Sequence, residues 1–128
     1  MQIVDTNIVL RYILSDNEKL SAQAEKIIDN NHIHIPIEVL CEVVYVLEKV
    51  YNAARNDVVA QLTDFIDAPN VAVPHREAVL LGLQNYGLGK MDFVDCVLAG
   101  YAEAENAEIH TFDKALRKLI DSQDREKK

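Results

Sequence analysis

What the 128-residue chain lacks narrows what it can be before any motif is read. No apolar run approaches the roughly 20 residues of a membrane-spanning helix. The opening "MQIVDTNIVL" has no basic segment ahead of its apolar part, so a secretory leader is not expected. Cysteine is confined to Cys41 and Cys96, each isolated within an expected helix. That excludes a paired CxxC motif and suits free thiols in a reducing cytosol. There is no glycine-rich phosphate loop and no GxSxG nucleophile elbow. Positive charge is scarce too: 13 Lys and Arg face 21 Asp and Glu, for a net charge of −8. Such a chain does not coat nucleic acid through a broad basic surface. It can still meet a polyanion through a bound cation. A protein partner is expected to be basic where it touches.

What is present reads as one soluble globular domain, residues 1–120, with a polar tail at 121–128 expected to fray. No internal repeat, linker or low-complexity tract interrupts it. Strands are expected at Gln2–Asp5, in "HIHIP", in "NVAVP" and in "EIHTF". Between them lie helical stretches: Asn7–Leu14, "DNEKLSAQAEKIIDNN" with Leu20, Ala24, Ile27 and Ile28 on one face, Ile37–Tyr51, "RNDVVAQLTDFIDA" and Arg76–Tyr86. The last of these stops at "YGLG", where glycine punctuates. "MDFVDCVLAGYAEAEN" and "DKALRKLI" complete the set. Alternation of strand and helix implies an α/β fold, a three-layer Rossmann-like arrangement. Its short parallel sheet of four strands, or five with a very short last one, carries helices on both faces. In open sheets of this kind ligands bind beyond the carboxyl ends of the strands.

Acidic residues cluster at those ends. Asp5 closes the first strand in "IVDTN" and Asp113 closes the last in "IHTFD". Asp92 suits the N-cap of the helix before the last strand, and Asp95 its third helical position. Residues three apart share a helix face, so four aspartates can converge on one rim. Glu42 lies inside Ile37–Tyr51, a helix apolar almost all round whose polar stripe is Glu38, Glu42, Tyr45 and Lys49. Val46 stands four residues on, so no cation compensates Glu42 locally. Each acid alone also has a plain structural explanation. Asp5 and Asp113 can be helix caps, Asp92 with Asp95 a capping pair, and Glu42 a point on a solvated stripe. Together they leave a shared edge unexplained. Crowded carboxylates raise one another's pKa, and an oxygen-only set that relieves this with a cation selects Mg²⁺ or Mn²⁺ over zinc. His32 and His34 read as strand alternation, and His75 and His110 lack partners at ligand spacing.

These acids carry a resemblance. "VDTNIVLRYIL", "EVLCEVVYVL", "DFVDCVLAGYA" and "HTFDK", in that order from Ile3 to about Leu119, resemble the PIN-domain ribonucleases, and among them the VapC-type toxins of bacterial toxin–antitoxin pairs. The resemblance implies a metal-dependent endoribonuclease in which Asp5, Glu42, Asp95 and Asp113 hold one or two Mg²⁺ or Mn²⁺. Asp92 is an additional acid, and Thr6, Asn7 and Thr111 are supporting groups. Arg11 is a phosphate contact. Hydrolysis by activated water would leave a 5′-phosphate and a 3′-hydroxyl. The implied partners are an RNA substrate, an antitoxin lying in the acidic groove and a second copy of the chain, with no membrane. The excess apolar surface of Ile37–Tyr51 is consistent with that homodimer. A catalytically inactive PIN-like interaction domain is the alternative. A phosphoacceptor receiver module fails because the third strand ends "VAVPH" without an acid. An aspartyl phosphatase fails because Asn7 stands where a second aspartate is needed.

Overall fold

The computed structural model describes residues 1–126. Strand β1 (Gln2–Ile3) leads through α1 (Thr6–Leu14) and α2 (Glu18–Asp29) to β2 (Ile33–His34). Helices α3 (Ile37–Lys49) and α4 (Arg55–Asp67) lead on to β3 (Val71–Ala72). Then come α5 (Arg76–Leu88), α6 (Phe93–Glu105) and α7 (Lys114–Glu126). The chain resolves into two compact units, Met1–Pro74 and His75–Lys128.

The first unit holds the sheet. Its strands run parallel in the order β1-β2-β3, with Ile33 opposite both Gln2 and Val71. Each crossover is a pair of helices, as a parallel connection requires. The apolar interior forms in and just after the strands: Val4, Ile33, Ile35 and Val71 are buried with Val9, Leu10, Ile28, Leu40, Leu47, Leu62 and Ile66 from the helices. Helix α3 buries Leu40, Val43, Val44 and Leu47. It exposes the polar stripe that its sequence predicts, Glu38, Glu42, Tyr45 and Lys49. Helix α2 is turned from its expected face. Ser21, Ala24 and Ile28 are buried while Leu20 and Ile27 are exposed. The reason is a hydrogen bond: the Ser21 hydroxyl donates to the Arg11 carbonyl at 2.9 Å, which makes a polar residue admissible against α1.

The regular elements of the second unit are all helices among its described residues. Helices α5 and α6 approach so closely that backbone meets backbone. A Cβ on Gly82 would lie 2.9 Å from Val97 Cγ2, and one on Gly100 would run into the Ala78 carbonyl oxygen. These pairings advance along α6 as they retreat along α5, so the two helices run antiparallel. Tyr86 and Phe93 meet edge to face at the joint between them, their ring centroids 5.8 Å apart. Helix α7 packs Leu116 and Ile120 on Ala99 of α6. The periodicity continues to Gln123, which is also buried, so the helix runs to Glu126 where a separate tail was expected to begin at 121.

The expected fourth strand is absent: the described residues contain three strands of two residues each, neither four nor five. Glu108–Phe112 keeps a strand's alternation, with Ile109 and Thr111 partly buried and Glu108, His110 and Phe112 exposed. It makes no ladder. A strand is completed by its partner, and here one backbone acceptor of the segment is taken by a helix side chain: the Arg117 guanidinium donates to the Ile109 carbonyl at 3.1 Å. The Thr111 hydroxyl in turn accepts from the Asp113 N–H at 3.0 Å, which ties the segment's end to the start of α7.

Candidate active site

In the first unit Asp5 is the N-cap of α1. Its backbone is extended (φ −90°, ψ 178°), and its carboxylate accepts from the Ile8 N–H at 3.1 Å. The cap follows β1 directly, which puts Asp5 at that strand's carboxyl end as expected. Thr6 and Asn7 form the first turn. The Asn7 side-chain oxygen accepts from Arg11 Nε at 3.4 Å, and Arg11 Nη1 pairs with Asp16 at 2.7 Å. The hydrogen bond to Asp16 raises the Arg11 pKa. The Arg11 charge is thus already answered within the chain. Glu42 is the sixth residue of α3, exposed on the polar stripe.

In the second unit three acids share one pocket. Asp92, Asp95 and Asp113 line a concavity of about 580 Å³ together with Asn85, Leu88, Met91 and Leu119. Asp92 stands at the N-cap of α6, as its spacing predicts, but makes no side-chain cap bond. Asp95 is at the third helical position and partly buried. Its carboxyl pKa is raised, first by burial and then by the negative charge of Asp113 and of Asp92. Asp113 caps α7, accepting from the Leu116 N–H at 2.8 Å, and the Thr111 hydroxyl accepts from the N–H of Asp113 itself. The cap bond engages Oδ1 of Asp113. Asn85 adds a polar atom of another kind: its side-chain nitrogen is buried and makes no hydrogen bond.

All three acids offer oxygen, the donor type that a hard divalent cation takes, and a cation would offset the part of the Asp95 shift that comes from Asp113 and Asp92. Among the described residues no group of three or more His, Cys, Asp or Glu side chains is placed to hold a metal ion. Mg²⁺ does not require such a group, because it keeps several waters and is commonly bound through one or two carboxylates.

The pocket's other walls were not legible from motif reading. Leu88 and Gly89 sit in "YGLG", which reads only as a helix stop, and Asn85 lies one turn earlier. A signal was available in Leu88, an apolar residue placed at the helix end where the chain turns outward; it is 88% exposed. No helix of the described chain is long and apolar enough to cross a membrane. Cys41 and Cys96 are both free.

No curated protein and no solved structure matches the chain. The PIN domain family model matches residues 3–121, which covers both units and every acid described above. PIN domains are generally nucleases and usually use divalent metals. The chain belongs to the PIN domain family.

Proposed function

We propose that the protein is a Mg²⁺- or Mn²⁺-dependent endoribonuclease acting as the toxin of a toxin–antitoxin pair. The observation that carries the reading is the pocket shared by Asp92, Asp95 and Asp113, in which burial first, and then the charges of Asp113 and Asp92, push up the proton affinity of Asp95. A carboxylate perturbed by burial and by charged neighbours in a concavity is a functional-site candidate. Asp95 and Asp113 are ligands, and Asp92 is an additional acid. Asp5 and Glu42 are the further ligands that the resemblance implies, with Thr6, Asn7 and Thr111 in support. When bound, the ion would lower the pKa of water and neutralise charge on the scissile phosphate. The protein's own part is positional. The Leu116 N–H fixes Asp113, and α6 fixes Asp95 at its third position. Partners are RNA, an antitoxin with a basic group for the acidic pocket, and a second copy. Exposed Tyr45 and Val50 on and just after α3 support that pairing, and a monomer mass by light scattering would end it.

A second reading has one observation in its favour. Asp5 and Asp113 both make cap bonds that explain their presence without chemistry, which suits an inactive interaction domain. Cleavage of total RNA by the purified chain, with and without Mg²⁺ or Mn²⁺ and beside Asp95→Asn, separates the two. Discrete metal-dependent cuts that vanish in the variant support the enzyme, and no cleavage by folded, metal-loaded protein supports the binding domain.

A further inference from the structure

We propose that the outward groove of α7, from Phe112 to Arg125, is the track that holds a single-stranded RNA substrate beside the acidic pocket. The proposal rests on the nuclease reading and deepens it. Three observations within the second unit carry it. The groove is lined by Lys114, Arg117, Lys118 and Arg125 against two carboxylates, Asp113 and Asp121. In a chain of net charge −8 this is a local reversal of sign. Lys114, Lys118 and Arg125 recur at offsets of four and seven, which sets them along one side of the helix.

The second observation is Phe112, whose exposure of 107% leaves the whole ring in solvent at the start of the groove. A fully exposed phenylalanine contributes nothing to a core. An aromatic face beside a cationic groove is the arrangement that binds single-stranded nucleic acid, through base stacking and phosphate contact. The third is continuity: Asp113 lines both this groove and the acidic pocket. A strand whose scissile phosphate lies at the pocket would therefore pass its neighbouring phosphates along α7. Arg117 is partly spent, with Nε 3.4 Å from Asp121 and Nη1 on the Ile109 carbonyl, so Lys114, Lys118 and Arg125 carry the phosphate contacts.

The test uses the full-length Asp95→Asn chain in chelator, so that neither cleavage nor metal enters the reading. A fluorescein-labelled oligo-uridine reports binding by anisotropy across a salt series. Phe112→Ala weakens binding between about 5-fold and 150-fold, the range for loss of one stacking contact. Lys118→Ala with Arg125→Ala lowers the slope of log K against log salt by about 1.4, at roughly 0.7 per phosphate contact. In the chain with Asp95 intact, both changes raise KM for RNA cleavage and leave kcat unchanged. Phe112 touches no core, so unchanged circular dichroism is expected and checks the fold. Undiminished affinity in Phe112→Ala, or an unchanged salt slope in the double variant, overturns the track. Displacement of the RNA by polyglutamate of equal charge, at equal concentration and regardless of Phe112, assigns the groove to an acidic protein and overturns it as well. If wild type and Asp95→Asn are equally inert toward RNA, the nuclease reading falls, while the binding series still judges the groove by itself.

Discussion

The two units of this chain are held together in opposite ways. In the first, large side chains fill the space between a short sheet and its helices: Ile28, Ile33, Ile35, Leu40, Leu47, Leu62 and Ile66 are all within 2% of full burial. In the second, the central contact between α5 and α6 is made by the absence of side chains at Gly82 and Gly100. The first therefore breaks when atoms are removed and the second when one is added. Close-packed interiors respond to both, but the mechanisms differ.

The largest expected effect is on the first unit. Leu47→Ala leaves a cavity and costs about 2–5 kcal/mol, read as a shift in the urea midpoint with unchanged slope. Gly100→Ala is the counterpart for the second. A methyl group meets the Ala78 carbonyl oxygen, which is backbone and cannot rotate away. Overpacking of this kind costs roughly 1–3 kcal/mol, against about 1 kcal/mol regained from helix propensity. Gly89→Ala is the control, since its Cβ would find only the Asn85 carbonyl oxygen at 3.9 Å. Equal melting temperatures for the two alanine variants would end the account of the glycine contact.

A smaller pair of effects tests whether the units share a capping rule. Asp5→Ala and Asp113→Ala each lose a cap bond and about 1 kcal/mol, whereas Asp5→Asn and Asp113→Asn keep most of it. Thermal melts of the four variants decide this. Asp95→Asn should behave in the reverse sense. A carboxyl whose folded pKa is raised binds its proton more tightly in the native state, so stability falls as pH rises from the unfolded value through the folded one. At neutral pH the metal-free Asp95→Asn chain is expected to melt slightly higher than wild type, and the gap should close in acid. A persistent gap below pH 3.8 would refute the electrostatic cause.

The smallest effect belongs to the first unit. The Tyr12 hydroxyl donates to Asp29 at 2.7 Å, and its pKa is pushed up to about 12, chiefly by that bond. Stability from the pair is fully present below pH 10 and is lost as pH rises through about 12. Ultraviolet titration of wild type beside Asp29→Asn should show one tyrosine equivalent moved back toward 10 in the variant.

Much of this was written locally in the sequence. Helices follow from period and caps, so Asp5, Asp92 and Asp113 fall at helix starts and Asp95 three positions in, as spacing alone predicts. The misses are non-local. Glu108–Phe112 has the pattern of a strand, but it pairs with no neighbour and its Ile109 carbonyl is taken by Arg117, which no period of two can reveal. Helix α2 turned its face because Ser21 found the Arg11 carbonyl. Gly82 and Gly100 sit silently inside helical patterns, since what makes them necessary is a neighbour far along the chain. The acids were legible one by one, whereas the pocket that joins three of them needed Asn85, Leu88 and Leu119 in place.

The cap bonds have a consequence for descent. In a lineage that lost its enzymatic role, selection for folding would still retain Asp, Asn, Ser or Thr at positions 5 and 113, because the helices beginning there need an acceptor. Position 95 enjoys no such protection, since the folded chain bears its charge as a burden in the absence of a cation. Aspartate at 95 is thus the informative witness: drift would erase it first, and its persistence would speak for chemistry.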